Sequence, residues 1–456
     1  MNPVVFRALQ RLKHLDDPAF LRTFRQVERE EWLSHNELAE LAWERQKMLV
    51  RQAYLHSSFY RGKYDAAGFH PDQLQHPEDF VRVPLLTRDE VRGHIEEIVC
   101  DNAHRARLAP AYTSGSTGVP AMIYHDIWAE APALLAQYSR TLARWGMKLG
   151  SKTAVLSGRR RRGVTPRYKT PEHLRRFLTN SVWLDAYETL ASERMICFVK
   201  LLESFRPDLM WSYVSAMEAL ARFLDERGGA RFQPKAIWLT AESTHAQQKE
   251  LIERVLRSVV CDMYGSVEAE YCAGECEQRE GLHVNTDLRT VEVVDDIGQS
   301  CRPRGIGEIV VTDLINYAAP LIRYRTGDLG SLLDRACSCG RGLPLIGSVI
   351  GRLIDMFVLP DGSQIYGGLF ATFFYDHINE VRRFQVHQID RDAAIVRIVP
   401  TLSCKREELS AQVLRAFRDY TSGKMRFDIR FVERIDQEAS GKFRYLKSDI
   451  SRPHAS

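Results

Sequence analysis

Long apolar runs are missing from this chain: no stretch reaches the ~18 consecutive apolar residues of a membrane-spanning helix. An excess of one charge is missing too. The 63 Lys and Arg against 59 Asp and Glu leave a net charge of +4 at pH 7. So weak an excess does not argue for nucleic acid, and no RNA- or DNA-binding motif is present. The pattern of a disulfide framework is also missing, since the nine cysteines are an odd number scattered through 456 residues. That usage fits a reducing compartment and points to the cytoplasm. Met1 to Leu15 carries Arg7, Arg11 and Lys13 among apolar residues. It lacks a secretory apolar core and a small-residue cleavage site, so it reads as a surface helix. Internal repeats and long low-complexity segments are likewise absent.

What is present is an ordinary globular balance, 45% hydrophobic and 27% charged, in a chain too long for one core. Residues 1 to about 100 look mostly helical, with Leu38, Leu41, Trp43, Leu49, Val50 and Tyr54 at roughly helical spacing. From 120 to 350, short apolar runs alternate with helical patterns. Strands are expected at Thr153–Ser157, Asp208–Tyr213 and Ala236–Thr240, and helices at Ser192 to Phe205, Met217 to Arg227 and His245 to Arg257. The alternation predicts an α/β fold with mixed or largely parallel sheets. Residues 291–312 read as a hairpin. Past a boundary near 352 the patterns shorten into a small α+β domain, so the expected domains are 1–351 and 352–456. A basic run at 157–169 reads as a solvated loop or as a contact for an anionic co-substrate.

Residues 112–120, Tyr-Thr-Ser-Gly-Ser-Thr-Gly-Val-Pro, concentrate hydroxyls and glycines between Thr113 and Gly118. Such a loop can wrap backbone N–H groups and hydroxyls around phosphate oxygens. It is not a Walker loop, since no Gly-Lys-[Ser/Thr] follows; a Ser/Thr-rich linker is the plainer reading. Tyr264-Gly265-Ser266-Val267-Glu268 follows an apolar run and leaves a carboxylate at a strand's carboxyl end, where α/β folds bind ligands. Tyr324-Arg325-Thr326-Gly327-Asp328 sets another carboxylate after a glycine turn, suited to paired ribose hydroxyls. Gly351-Arg352 and Ser440-Gly441-Lys442 complete the set. Each alone is equally a surface turn.

In this order the motifs resemble the signature of adenylate-forming enzymes, which include acyl- and aryl-CoA ligases. The resemblance runs from about 110 to 445. Pro320 to Asp328 and Cys337-Ser-Cys-Gly-Arg341 are similar to phenylacetate-CoA ligase-like proteins. Leu359-Pro-Asp-Gly362, Phe384-Gln-Val-His-Gln388 and Ser440-Gly-Lys-Phe-Arg444 resemble the capsular polysaccharide biosynthesis (CapK-like) branch. The resemblance implies ATP, Mg²⁺ and a small carboxylic acid as ligands, an acyl-adenylate as product of the first step, and then transfer to CoA. An amine or hydroxyl acceptor stays open, as does a nucleotide-binding protein without catalysis. A homodimer is compatible with either.

The resemblance also implies roles. Thr113, Ser114, Ser116 and Thr117 hold the β- and γ-phosphates, while Gly115 and Gly118 let the backbone approach. Glu268 helps place Mg²⁺, Asp328 accepts from the ribose, and Arg352 reaches the nucleotide. Ala241, Glu242 and Ser243 flank the adenine, with Tyr264 and Gly265 beside them. Lys442 bridges the carboxylate and the α-phosphate as charge builds. Trp211, Tyr213 and Tyr264 stand near the expected acid pocket, which suits an aryl or other hydrophobic acid, though aromatic residues there could equally be core. One departure concerns the hinge: relatives read Gly-Arg-x-Asp-Asp where this chain has Gly351-Arg-Leu-Ile354-Asp355. Ile354 takes the place of the pivot acid, which leaves the second half-reaction open. Separately, Cys276, His283, Cys337 and Cys339 offer three sulfurs and a nitrogen to a structural Zn²⁺, with Cys272 in reserve. Reduced, buried cysteines beside a surface histidine are the alternative.

Overall fold

A computed structural model describes residues 18–112, 121–157, 180–185, 192–268, 270–352, 356–366, 368–377, 379–436 and 443–450. The expected N-terminal surface helix (1–15) and nearly all of the basic run lie outside the described residues, as do Thr113 to Gly118, Ile354 and Lys442.

Helices α1 (Pro18–Glu30), α2 (His35–His56), α3 (Ser58–Ala66) and α4 (Arg88–Ile98) form the N-terminal part. Reciprocal caps start α2 and α4. Glu37 N–H donates to Ser34 Oγ at 3.3 Å while Ser34 N–H donates to Glu37 Oε2 at 2.7 Å, and Thr87 and Glu90 repeat the pattern. Leu49, Val50 and Ala53 of α2 are buried with Tyr60, Tyr64, Val83 and Leu86, against Ile322 and Tyr324 of the sheet described next.

A short antiparallel pair, β1 (Leu108–Tyr112) and β2 (Met122–Asp126), flanks the hydroxyl-rich loop. Helix α5 (Ile127–Ala143) follows directly. Then come β3 (Thr153–Ser157), β4 (Ser181–Asp185), α6 (Ser192–Phe205), β5 (Leu209–Tyr213), α7 (Val214–Asp225), β6 (Ala236–Thr240), α8 (Ala246–Leu256) and β7 (Val259–Ser266). Strands β8 (Glu270–Glu275), β9 (Leu282–Val284), β10 (Arg289–Val294), β11 (Gly307–Asp313), β12 (Tyr324–Leu332) and β13 (Leu345–Arg352) complete an 11-stranded sheet of order β10-β11-β12-β13-β9-β8-β7-β6-β5-β3-β4. The β7-to-β4 portion is parallel and the remainder antiparallel.

The parallel strands are apolar runs because both their faces are covered. Met210, Ile237, Leu239 and Val260 pack on Met217, Leu220 and Leu224 of α7 and Ile252 of α8. Leu209, Trp238, Cys261 and Met263 face the other way, onto Leu142 at the end of α5. The expected strands and helices stand where the pattern placed them, within a few residues at their ends, and the 291–312 hairpin is the β10–β11 pair.

Beyond the large sheet, β14 (Met356–Val358) pairs with β15 (Gln364–Tyr366). Helix α9 (Gly368–Asp376), β16 (Val381–Asp390), β17 (Ala393–Pro400), α10 (Arg406–Tyr420), β18 (Arg426–Phe431) and β19 (Leu446–Ser448) follow. Their four-stranded sheet has the order β18-β17-β16-β19. It has its own core, which includes Phe370, Phe374, Phe384, Val396 and Phe417. Among the described residues no helix is long and apolar enough to cross a membrane.

One buried ion pair ties α5 to the turn before β10. Arg140 donates to both oxygens of Asp287 at 2.7 and 2.8 Å, to Asn285 Oδ1 at 2.8 Å and to the Val27 carbonyl at 2.8 Å. Both side chains of the pair are at most 1% exposed. Removing one partner strands the other charge away from water, so Asp287→Ala is expected to cost about 3–5 kcal/mol. Denaturant unfolding followed by intrinsic fluorescence checks this.

Candidate active site

One tyrosine-to-carboxylate run leaves the end of β7 and another opens β12, and the two runs clasp each other. Tyr324 Oη donates to Glu268 Oε1 at 3.0 Å, and Tyr264 Oη donates to Asp328 Oδ2 at 2.9 Å. Burial, then the neighbouring Asp328 charge, holds the Tyr264 phenol well above its ordinary range, so it stays a donor. Burial, then Glu268, does the same for Tyr324. Glu268 is buried, and its Oε2 has no hydrogen-bond partner among the described residues.

Two glycines make the clasp possible. A Cβ on Gly265 would stand 2.2 Å from the Glu270 carbonyl oxygen, so no side chain fits where β7 turns into β8. Gly327 takes a φ of +76°, which a side chain resists. The kink there is pinned by Glu308, which accepts from Gly327 N–H at 3.1 Å and from Arg325 Nε at 2.7 Å. Thr326 Oγ1 donates to the Ile309 carbonyl and accepts from Asp328 N–H.

Of the other expected nucleotide residues, Arg352 and Ser243 are linked to β12 through β13. Antiparallel pairing sets Asp328 directly opposite Arg352. Ser243 Oγ donates to the Ile350 carbonyl at 3.4 Å, which ties the loop after β6 to β13. Ala241 bends that loop with a φ of +72°. The Glu242 carboxylate accepts from Ser215 N–H, Ser215 Oγ and Phe443 N–H at 2.6, 2.9 and 3.0 Å. Thr113, Ser114, Gly115, Ser116, Thr117, Gly118 and Lys442 lie outside the described residues. The ends of their loop are placed, however: Tyr112 pairs with Met122.

Trp211, Tyr213 and Tyr264, near the expected acid pocket, pack against separate cores. Tyr213 sits at the N-cap of α7, where the chain leaves the strand, and Tyr264 is committed to Asp328. The coherent aromatic group is Tyr138 of α5 with Trp211 and Trp238, at ring separations of 5.8–6.5 Å. Tyr138 lies on a helix far from the motifs in sequence, which is why pattern reading missed it.

Other contributors also lay outside the motifs. His125 of β2, three residues after the loop's far strand begins, places Nε2 3.1 Å from the Val267 carbonyl and Nδ1 3.0 Å from Glu130 Oε2. It therefore braces the residue next to Glu268. Leu86 bridges the start of β12 through bonds from its N–H to the Arg323 carbonyl and from Arg325 N–H to its own carbonyl.

Cys276, His283, Cys337 and Cys339 converge, with ligand atoms all within 4.8 Å of one another. Cys276 Sγ lies 3.6 Å from Cys337 Sγ, and Cys339 Sγ lies 3.4 Å from His283 Nε2. Zinc–sulfur bonds of ~2.3 Å at tetrahedral angles put sulfurs about 3.8 Å apart, so the spacing fits. Burial pushes His283 down to about 4, which keeps the imidazole neutral and ligand-ready. The reserve ligand, Cys272, is not part of the group. It lies within β8 and packs in the sheet core with Ala273, Val284 and Ile309.

Comparison with known proteins agrees with the motifs. A family profile described as the CapK C-terminal domain matches residues 357–449. Phenylacetate-coenzyme A ligase of Thermus thermophilus is 28% identical over 355 residues, 74% of this chain and 75% of that protein. Protein CapK of Staphylococcus aureus is 23% identical over 384 residues, 81% of this chain and 80% of that protein. The crystal structure of 2-hydroxyisobutyryl-CoA ligase in the postadenylation state, in complex with R3-HIB-AMP, superposes with a TM-score of 0.75 at 20% identity. It covers 92% of this chain and 91% of its own. The mixed α/β fold with its C-terminal α+β part is therefore one that solved acid–CoA ligases share.

The brace at His125 gives a pH signature. Burial opposes its charge, but the Glu130 hydrogen bond and charge, then Glu270, outweigh burial and raise it to about 9. Burial also pushes the Glu130 carboxyl up, so both shifts make the folded state hold more protons than the unfolded one. Stability from His125 is thus full below its unfolded pKa of ~6.5 and is lost as pH rises through about 9. Unfolding midpoints should fall across that window, and His125→Gln should flatten the fall.

Proposed function

We propose that this chain, a relative of the phenylacetate-CoA ligases and of CapK within the adenylate-forming superfamily, is an ATP-dependent, AMP-forming acid ligase. The observation that carries this is the clasp, which fixes the two carboxylates of the nucleotide motifs against each other, with Asp328 opposite Arg352.

In this reading a substrate carboxylate oxygen attacks the α-phosphorus of ATP, and the bond to the β-phosphate oxygen breaks to release pyrophosphate. Asp328, held by Tyr264, accepts from the ribose hydroxyls. The Thr113–Gly118 loop grips the departing phosphates, and Lys442 offsets charge growing on the carboxylate and α-phosphate. Glu268, held by Tyr324 and with Oε2 lacking a partner among the described residues, fits an Mg²⁺ position, where the cation would neutralise phosphate charge. The loop at Ala241–Ser243 forms the adenine wall. The acid lies against Tyr138 and Trp211, a face suited to an aryl or other apolar acid. A nucleophile then attacks the acyl carbonyl and AMP leaves. We take CoA thiol as the acceptor; the second reading is an amine or hydroxyl, which Ile354 at the hinge favours. We assign residues 1–351 to the nucleotide- and acid-binding domain and 352–456 to the domain carrying Lys442. The nine cysteines, all free, support a cytoplasmic location.

Acid-dependent ATP–pyrophosphate exchange tests the first step, on a panel that includes phenylacetate and benzoate. Exchange with at least one acid is expected, and Lys442→Ala should lower it by about 10²-fold or more. No exchange with any acid would leave only a nucleotide-binding protein. Product mass, thioester against amide or ester, separates the two acceptor readings.

We also propose that the Cys276–His283–Cys337–Cys339 group holds a closed, structural zinc. Four protein ligands leave no open position for chemistry, so its contribution is to folding. Elemental analysis of purified protein should give one zinc per chain, and Cys337→Ser should lose it together with a lowered thermal midpoint. Metal-free protein of unchanged midpoint would refute the site.

A further inference from the structure

The C-terminal part touches helix α7 through two carboxylates that the adenylation chemistry does not use. Glu242 receives Ser215 N–H and Oγ, at the first turn of α7, and also the Phe443 backbone N–H from the C-terminal part. One turn further along α7, buried Glu218 receives Tyr445 Oη at 3.2 Å, Gln248 Nε2 at 2.5 Å and Arg222 Nη2 at 2.9 Å. Ser215 and Glu218 are three residues apart and so share a helix face. Beside them His245 lies against Tyr375 at 4.2 Å, and Gln247 Nε2 donates to Asp376 Oδ1 at 2.8 Å.

Both crossing residues keep their rings at home. Phe443 packs with Val399 and Ile435, and Tyr445 with Phe384 at 5.0 Å. Only a polar atom of each reaches across. The hydrogen bonds of this joint are ones that water can replace when it opens. A large apolar joint would have no such alternative. Phe443 also directly follows Lys442 in sequence. Fixing its N–H therefore constrains where the chain leaves that residue.

We propose that Glu218 and Glu242 are positioning residues that dock the C-terminal domain on α7 for the first half-reaction, through Tyr445 Oη and the Phe443 N–H. This rests on the ligase reading above. Neither carboxylate takes part in bond making; they select the domain orientation in which adenylation proceeds. Transfer to the acceptor does not need them.

Tyr445→Phe keeps the ring and removes only the crossing hydroxyl. With phenylacetate as probe acid, ATP–pyrophosphate exchange should fall about tenfold, the scale of one lost hydrogen bond to a charged group. Transfer to CoA from supplied phenylacetyl-adenylate should change less than about twofold, since binding energy specific to one step affects that step alone. Hydrogen exchange in the full chain gives a readout independent of activity: peptides covering 214–217 and 443–447 should lose protection together. Glu218→Gln should behave alike, and serves as the second variant. An equal fall in both half-reactions, or unchanged exchange rates, would overturn the proposal. Should phenylacetate support no turnover at all, hydrogen exchange decides alone: joint loss of protection supports docking, and unchanged protection refutes it.

Discussion

The crossed hydrogen bonds between Tyr264 and Asp328 and between Tyr324 and Glu268 are what the rest of the candidate site is built around. Each tyrosine lies four residues before one carboxylate and bonds to the other. The positions are therefore set in pairs, and neither strand can slip without losing both bonds. A one-residue shift in an antiparallel ladder turns every side chain to the opposite face. Here it would also separate Asp328 from its place opposite Arg352. Glu308 and Thr326 hold the kink that keeps Asp328 aimed, and the crowding at Gly265 admits no side chain. The clasp costs little to maintain, because each buried carboxylate oxygen it uses has a donor that does not titrate at neutral pH.

Much of this was legible as text. The parallel strands announce themselves as short apolar runs because both faces are covered, so Thr153–Ser157 and Ala236–Thr240 could be bounded to the residue. The carboxylates were legible as motifs. Their partners were not, since the Tyr324–Glu268 and Tyr264–Asp328 bonds span 56 and 64 residues and no local pattern encodes such a pairing. The Tyr138–Trp211–Trp238 group was not legible for a related reason: its members come from α5, β5 and β6, and no local pattern joins them. The Cys276–His283–Cys337–Cys339 cluster was legible because thiols and imidazole at those spacings are unusual. Cys272 and Cys276 differ only in that one stands inside β8 and the other just beyond its end, free to turn toward Cys337.

Sequence reading also gave Glu242 to the adenine, whereas its carboxylate is occupied by the α7 N-terminus and Phe443. The two assignments are compatible at different atoms. A loop can line a base with its backbone while its side chain faces away. The positive φ at Ala241 turns the chain in just this manner. A carboxylate placed at a helix N-terminus is stabilised by the orphan N–H groups there. That leaves it pre-oriented to accept one more donor from outside.

The two sets of contacts differ in kind, and the difference bears on how such a protein divides its work. The clasp joins strands of one sheet, is buried, and sits among glycines that allow no alternative packing. It is suited to hold charge in fixed places through a reaction. The joint at α7 is made of hydrogen bonds between otherwise self-contained cores, with one ring contact, His245 against Tyr375. Parting it exposes two carboxylates, an amide and a hydroxyl to water, all of which hydrate well, while the rings of Phe443 and Tyr445 stay packed. Water can replace each of those hydrogen bonds, so a ligand that binds one arrangement better can shift the balance between docked and undocked. A site that must be rigid for one step and rebuilt for the next needs both kinds of contact, and this chain keeps them on separate elements.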